Sequence, residues 1–100
     1  MNKKQIEILL EERKNIDGQN DVLTEENHQK ILSLMKNSLC DVIDYLNCCS
    51  SESFYWILEL LEDLSEHFKS QELIECMERN AARTGVDCSV DIEYAKKALD

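Results

Sequence analysis

Proline is absent from this chain, and glycine occurs only at Gly18 and Gly85. Hairpins and tight turns draw on those two residues for backbone angles that others adopt at a cost. A sheet-rich fold therefore has little here to turn its strands with. The chain is expected to be all-α, with few and short connections. At 100 residues it is a single domain, residues 1–100, large enough for one core of modest stability.

Apolar spacing divides the chain into five to six helices. The first covers Lys3 to Lys14, with Ile6, Leu9, Leu10 and Arg13 on one side. Gly18 lies in the polar break that follows. Thr24 is the expected N-cap of a second helix carrying Ile31, Leu34 and Met35, with Leu23 and His28 as a weak staple. Ser38 and Asp41 resemble a capping box and open a short third helix ending near Cys49. Ser50 or Ser51 caps a fourth, whose stripe is Ile57, Leu60, Leu61, Leu64 and Phe68, with Lys69 at its end. Ser70 caps a fifth, with Leu73, Ile74, Cys76, Met77 and Ala81 inward and Gly85 just beyond it. Ser89 is the expected cap of the last, whose apolar side is Val90, Ile92, Ala95, Ala98 and Leu99. Short connections bring such helices together as antiparallel neighbours. A compact bundle and a HEAT-like helical stack both satisfy that.

Charge is distributed very unevenly. Between Cys40 and Arg79 stand ten carboxylates and one base, Lys69, and that block holds −9 of the net −10. Glu59, Glu62, Asp63 and Glu66 occupy the faces of the fourth helix away from its apolar stripe. An ordinary surface intersperses signs to relieve self-repulsion. An acidic face left unrelieved points to a basic protein partner and away from nucleic acid, whose phosphates call for Lys and Arg.

The aromatic run Phe54-Tyr55-Trp56 adjoins that face. Successive helix positions diverge by about 100°, so the three rings cannot all point into one core. Tyr55 is expected outside, Phe54 near the inward side and Trp56 at its flank. Tyr and Trp beside carboxylates suit a Lys- or Arg-rich surface. The candidate binding residues are therefore Glu52, Tyr55, Trp56, Glu59, Glu62, Asp63 and Glu66.

Other chemistries find little support. Two glycines cannot build a phosphate loop, and neither His28 nor His67 sits in a triad or metal motif. No catalytic residue, cofactor or metal is expected. The cysteines, Cys40, Cys48, Cys49, Cys76 and Cys88, are odd in number and lack zinc-ligand spacing. Cys40 and Cys76 read as small core residues. With no apolar leader and no long apolar run, a cytoplasmic protein without a membrane span is expected.

The stretch SSESFYWILELLEDLSEHFKSQELIECMERNAARTG, followed by DIEYAKKAL, resembles small helical immunity proteins of bacterial polymorphic-toxin and contact-dependent-inhibition systems. The shared cues are a Phe-aromatic-Trp-Ile opening, a Leu-Glu-Asp-Leu core helix, the turn from Phe68 to Glu72, and a final Asp-Ile-Glu helix. The resemblance spans roughly the second half of the chain. It implies a protein that binds a cognate toxin domain and neutralises it. Such toxins are commonly nucleases, with basic substrate sites. An acidic DNA-mimic inhibitor, a regulatory adaptor and an effector chaperone are the competing expectations. A monomer and a weak homodimer are both compatible with the sequence.

Overall fold

Side-chain oxygens start most of the helices. In a computed structural model describing residues 1–99, Asn2, Asn20, Ser38, Ser50 and Ser70 each accept a hydrogen bond from the backbone N–H three residues on. The helices are α1 (Lys3–Lys14), α2 (Asp21–Met35), α3 (Leu39–Cys48), α4 (Ser51–Ile57), α5 (Leu61–Phe68), α6 (Gln71–Thr84) and α7 (Ser89–Lys97). A 3₁₀ turn, Leu58–Leu60, joins α4 to α5 without a loop. Counted as one bent rod, α4 to α5 brings the number to six, and the all-α class holds.

The described chain measures 31 × 26 × 26 Å. Helix α1 packs on α2 and α4, α3 on α6, and α7 on both α5 and α6. With similar extents in all three directions, the arrangement is a compact all-α bundle. Phe54, Leu46, Leu60, Leu61, Leu64, Leu73 and Ile74 are among the fully buried side chains at its centre.

The expected fourth helix is bent at the 3₁₀ turn. Ile57, Leu58, Leu60 and Leu61 all lie in the core, within five positions. On a straight α-helix those side chains fan over roughly 160° at about 100° per residue, wider than one packed stripe. A 3₁₀ turn winds about 20° tighter per residue and shifts the helical phase of the residues beyond it. Glu59 lies at the middle of the turn.

Four local expectations are corrected. Asn20, not Thr24, caps α2; the helix starts one turn earlier, Leu23 is left exposed, and no staple to His28 forms. Ser89 is the first residue of α7 rather than its cap. Its N–H donates to Asp87 Oδ1 at 3.1 Å, and that bond, with the Ser89 hydroxyl, holds the Asp87 carboxyl below its usual range. Val90 faces outward. Cys40 is exposed, whereas Cys49, Cys76 and Cys88 are buried.

Polar ties fix the helices' mutual register. Glu7 of α1 accepts hydrogen bonds from the Tyr45 hydroxyl of α3 and from Ser53 Oγ of α4, the latter at 3.0 Å. Arg83 of α6 spans the end of α3. Its Nη2 donates to the carbonyls of Leu46 and Cys49 at 3.0 and 2.9 Å, and its Nε to Asn80 Oδ1 at 2.6 Å. Helix ends leave carbonyls without intrahelical partners, and here a guanidinium supplies the donors. Arg83→Ala should cost about 1–3 kcal/mol in urea unfolding, as expected for loss of charge-assisted hydrogen bonds. Arg79→Ala, which removes a single bond to Asn47, should cost less. Equal costs would count against the capping role.

Burial also sorts the thiols. It pushes the Cys49, Cys76 and Cys88 thiols above their usual range, which disfavours the reactive thiolate. A thiol reagent such as Ellman's should titrate Cys40 and Cys48 quickly in the native protein and the other three only on unfolding.

Candidate protein-binding surface

The seven candidate residues fall into two groups with different surroundings. Glu52, Tyr55, Trp56 and Glu59 lie on α4 and the 3₁₀ turn, which α1 covers. Glu62, Asp63 and Glu66 lie on α5, all exposed.

In the first group the chain satisfies its own acids. Arg13, at the inward edge of α1, forks onto Glu59: Nε donates to Oε2 at 2.8 Å and Nη2 to Oε1 at 2.7 Å. His28 Nε2 lies 2.8 Å from the same Oε2. The Arg13 guanidinium also sits 4.9 Å from the centre of the Trp56 ring. Such a bidentate, stacked placement is one that lysine cannot reproduce. Lys14 reaches Glu52 at 2.9 Å and Glu11 at 3.2 Å. The hydrogen bond it donates to Glu52 leads in holding its ammonium above the usual range, against some desolvation. Trp56 is half-buried against the core. Tyr55 stands out in solvent, as its helical position predicts, with its ring edge-on to Trp56 at 5.3 Å between centres.

The second group lacks such partners. Glu62, Asp63 and Glu66 make no ion pair among the described residues. Two shallow depressions meet at Glu66. One, of about 410 Å³, is bounded by Lys36, Asp63, Glu66 and His67. The other, of about 280 Å³, lies between α5 and α7 and is bounded by Glu62, Glu66, Lys69, Tyr94, Lys97 and Ala98. Lys69 is committed there, since its Nζ donates to the Ala98 carbonyl at 3.1 Å. His67 is held toward the Lys36 carbonyl at 3.0 Å. Elsewhere in the acidic block, Asp41 is paired with the Met1 amino group at 2.8 Å, and Glu78 faces Lys96 at 3.8 Å.

Sequence reasoning did not include Tyr94 or Arg13 among the site residues. Tyr94 had a readable signal, an aromatic at the fourth position after Val90 on an amphipathic helix. Arg13 carried none, because its partners are 43 and 46 residues away along the chain. Among the described residues no group of three or more His, Cys, Asp or Glu is placed to hold a metal ion, and no helix is long and apolar enough to cross a membrane. The sequence matches no protein-family model and no curated protein, and the fold matches no solved structure.

Burial raises the pKa of Glu59, but the hydrogen bonds from Arg13 and then His28 outweigh it and hold the carboxyl below its usual range. A carboxylate whose folded pKa is depressed contributes stability above its unfolded pKa and loses it as pH falls through the folded value. The stability of the protein should therefore decline as pH drops below about 4.5, the ordinary value for this group. Glu59→Gln should be less stable at pH 7 and should show a flatter stability–pH curve below about pH 5. Urea midpoints measured from neutral to acid pH test this; parallel curves for the two proteins would contradict it.

Proposed function

We propose that this chain is a protein inhibitor of the immunity type, which binds a basic toxin domain and occludes its substrate site. The observation that carries the reading is the contrast between the two groups of acids. Glu52 and Glu59 are neutralised by bases of the same chain, whereas Glu62, Asp63 and Glu66 are held exposed and close together on α5. Like charges at three- and four-residue spacing repel and cost a helix a few tenths of a kcal/mol per pair. A basic partner relieves that repulsion on binding. The resemblance of the second half to helical immunity proteins supports the same reading, and a nuclease-type toxin with a phosphate-binding cleft supplies the complementary charge.

The mechanism is steric and electrostatic. The acidic ridge of α5 seats in the partner's basic cleft and excludes the substrate. Opposite charge steers the encounter and raises the association rate, which matters for an inhibitor that must intercept few molecules quickly. The competing reading, a DNA mimic, requires a long run of free carboxylates in place of a phosphate backbone. Capture of Glu59 and Glu52 by α1 shortens the run, so the immunity reading is preferred. A cytoplasmic location and a role as monomer or weak homodimer belong to the same proposal.

The test is a tagged pull-down from lysate at low and high salt, with co-purifying chains identified by mass spectrometry. One polypeptide retained at high salt, toxic when expressed alone and rescued by this chain, is the expected result. Many basic proteins lost together at high salt would favour the mimic. With the partner in hand, Glu62→Lys combined with Asp63→Lys should slow association about ten-fold or more at low salt and flatten its salt dependence. Glu52→Lys should change it little.

A further inference from the structure

Helix α7 presents an outer stripe with no partner in the bundle: Val90 and Tyr94, 61% and 52% exposed, followed one turn later by Lys97. The same Tyr94 and Lys97 form one wall of the depression whose other wall is Glu62, Glu66 and Lys69, the last tied to the Ala98 carbonyl. Lys97 Nζ sits 5.1 Å from the centre of the Tyr94 ring. An ammonium thus already stands at an aromatic face beside two carboxylates that it does not pair with within 4 Å. Ring face, nearby negative charge and an open depression of about 280 Å³ together favour a long cationic side chain.

We infer that the α5–α7 depression is the docking point for a single Arg or Lys side chain projecting from a basic protein partner, with Tyr94 as its aromatic anchor and Lys97 as a placeholder that the incoming cation displaces. This rests on the partner-binding reading above and deepens it, because it moves the aromatic anchor from Tyr55 and Trp56 to Tyr94. The Trp56 face is filled by Arg13, which is locked to Glu59 on two hydrogen bonds. Lys97 has no such lock to either carboxylate of the depression. Exchange of one cation for another at Tyr94 costs little, and Glu62 and Glu66 gain a partner when it occurs. Arginine is the preferred occupant, since its planar guanidinium stacks on the ring while donating to a carboxylate.

The experiment is an NMR titration of the isotope-labelled chain at low salt with a short blocked peptide carrying two arginines, and with its citrulline counterpart as control. The expected result is saturable shifts centred on Glu62, Glu66, Val90 and Tyr94 with the arginine peptide only. Tyr94→Ala, at an exposed position, should weaken binding about two- to five-fold, the size of an exposed cation–π contact, and Tyr94→Phe should restore most of it. Lys97→Gln should tighten binding by a similar factor. Lys96→Gln removes the same charge one position away, off the ring, and should tighten it less. Equal effects of Lys96→Gln and Lys97→Gln would overturn the placeholder role, and shifts centred on Tyr55 or on α6 would overturn the site. Either outcome leaves the wider reading to be judged by the Glu62 and Asp63 reversals on the captured partner. If those reversals also had no effect, the acidic ridge itself would be rejected.

Discussion

Four apolar side chains packed into five positions, Ile57 to Leu61, set the bend in the rod that carries all seven candidate residues. All four are in the core, and a straight helix cannot deliver them all to one stripe. The chain resolves the conflict by tightening into a 3₁₀ turn. Its hydrogen bonds are poorer than those of an α-helix, but the burial gained is large: roughly 1.5–3 kcal/mol for each fully buried aliphatic side chain. Glu59 lies in the middle of this turn, where Arg13 and His28 reach it.

Helix α1 is what distinguishes Glu59 from the acids of α5, because it supplies the base that Glu59 meets. Its inner stripe of Ile6, Leu9 and Leu10 ends in Arg13, whose stem continues the apolar contact while its guanidinium meets Trp56 and Glu59. Each member limits the others. Without Glu59, Arg13 would be a largely covered cation, 13% exposed, with no counter-charge, and such a charge is costly to leave unpaired. Without Arg13, Glu59 would stand half-covered beside an aromatic with only His28 to face it. The group is thus better understood as the seam between α1 and α4 than as a surface for another molecule. Tyr55, beyond the seam, remains solvated.

The sequence made local structure legible where one residue decides it. The bounds of α1, the caps Ser38, Ser50 and Ser70, and Gly85 with φ of 77° at the end of α6 all depend on neighbours within a turn. The cap of α2 is not legible locally, because Thr24 and Asn20 are both acceptable caps and only the entry of the loop chooses between them. The bend in the fourth helix is not legible either, because the stripe Ile57, Leu60, Leu61 and Leu64 leaves out Leu58, and whether Leu58 is buried depends on what packs beside it. For the candidate site, helical phase was enough to place Tyr55 and the α5 acids outside. It could not reveal the capture of Glu52 and Glu59, because Lys14 and Arg13 are 38 and 46 residues upstream and nothing local marks them as partners.

That asymmetry bears on how an acidic sequence should be interpreted. Counting charges along the chain treats every carboxylate in the block as available. Folding withdraws those near a base, as with Glu52, Glu59 and Asp41, and leaves the rest to act outward. The residue of that subtraction on α5 is small, three carboxylates on two turns, but it is concentrated. Concentrated charge beside an aromatic edge discriminates between partners better than the same charge spread over the whole surface, because it demands a cation at a particular place. The bases of α1 and α2 therefore do more than stabilise the bundle. By cancelling the charge of Glu52 and Glu59 around the α4–α5 bend, they leave the exposed, unpaired acids of the block on α5, at Glu72 and Glu75 of α6, and at Asp44 of α3.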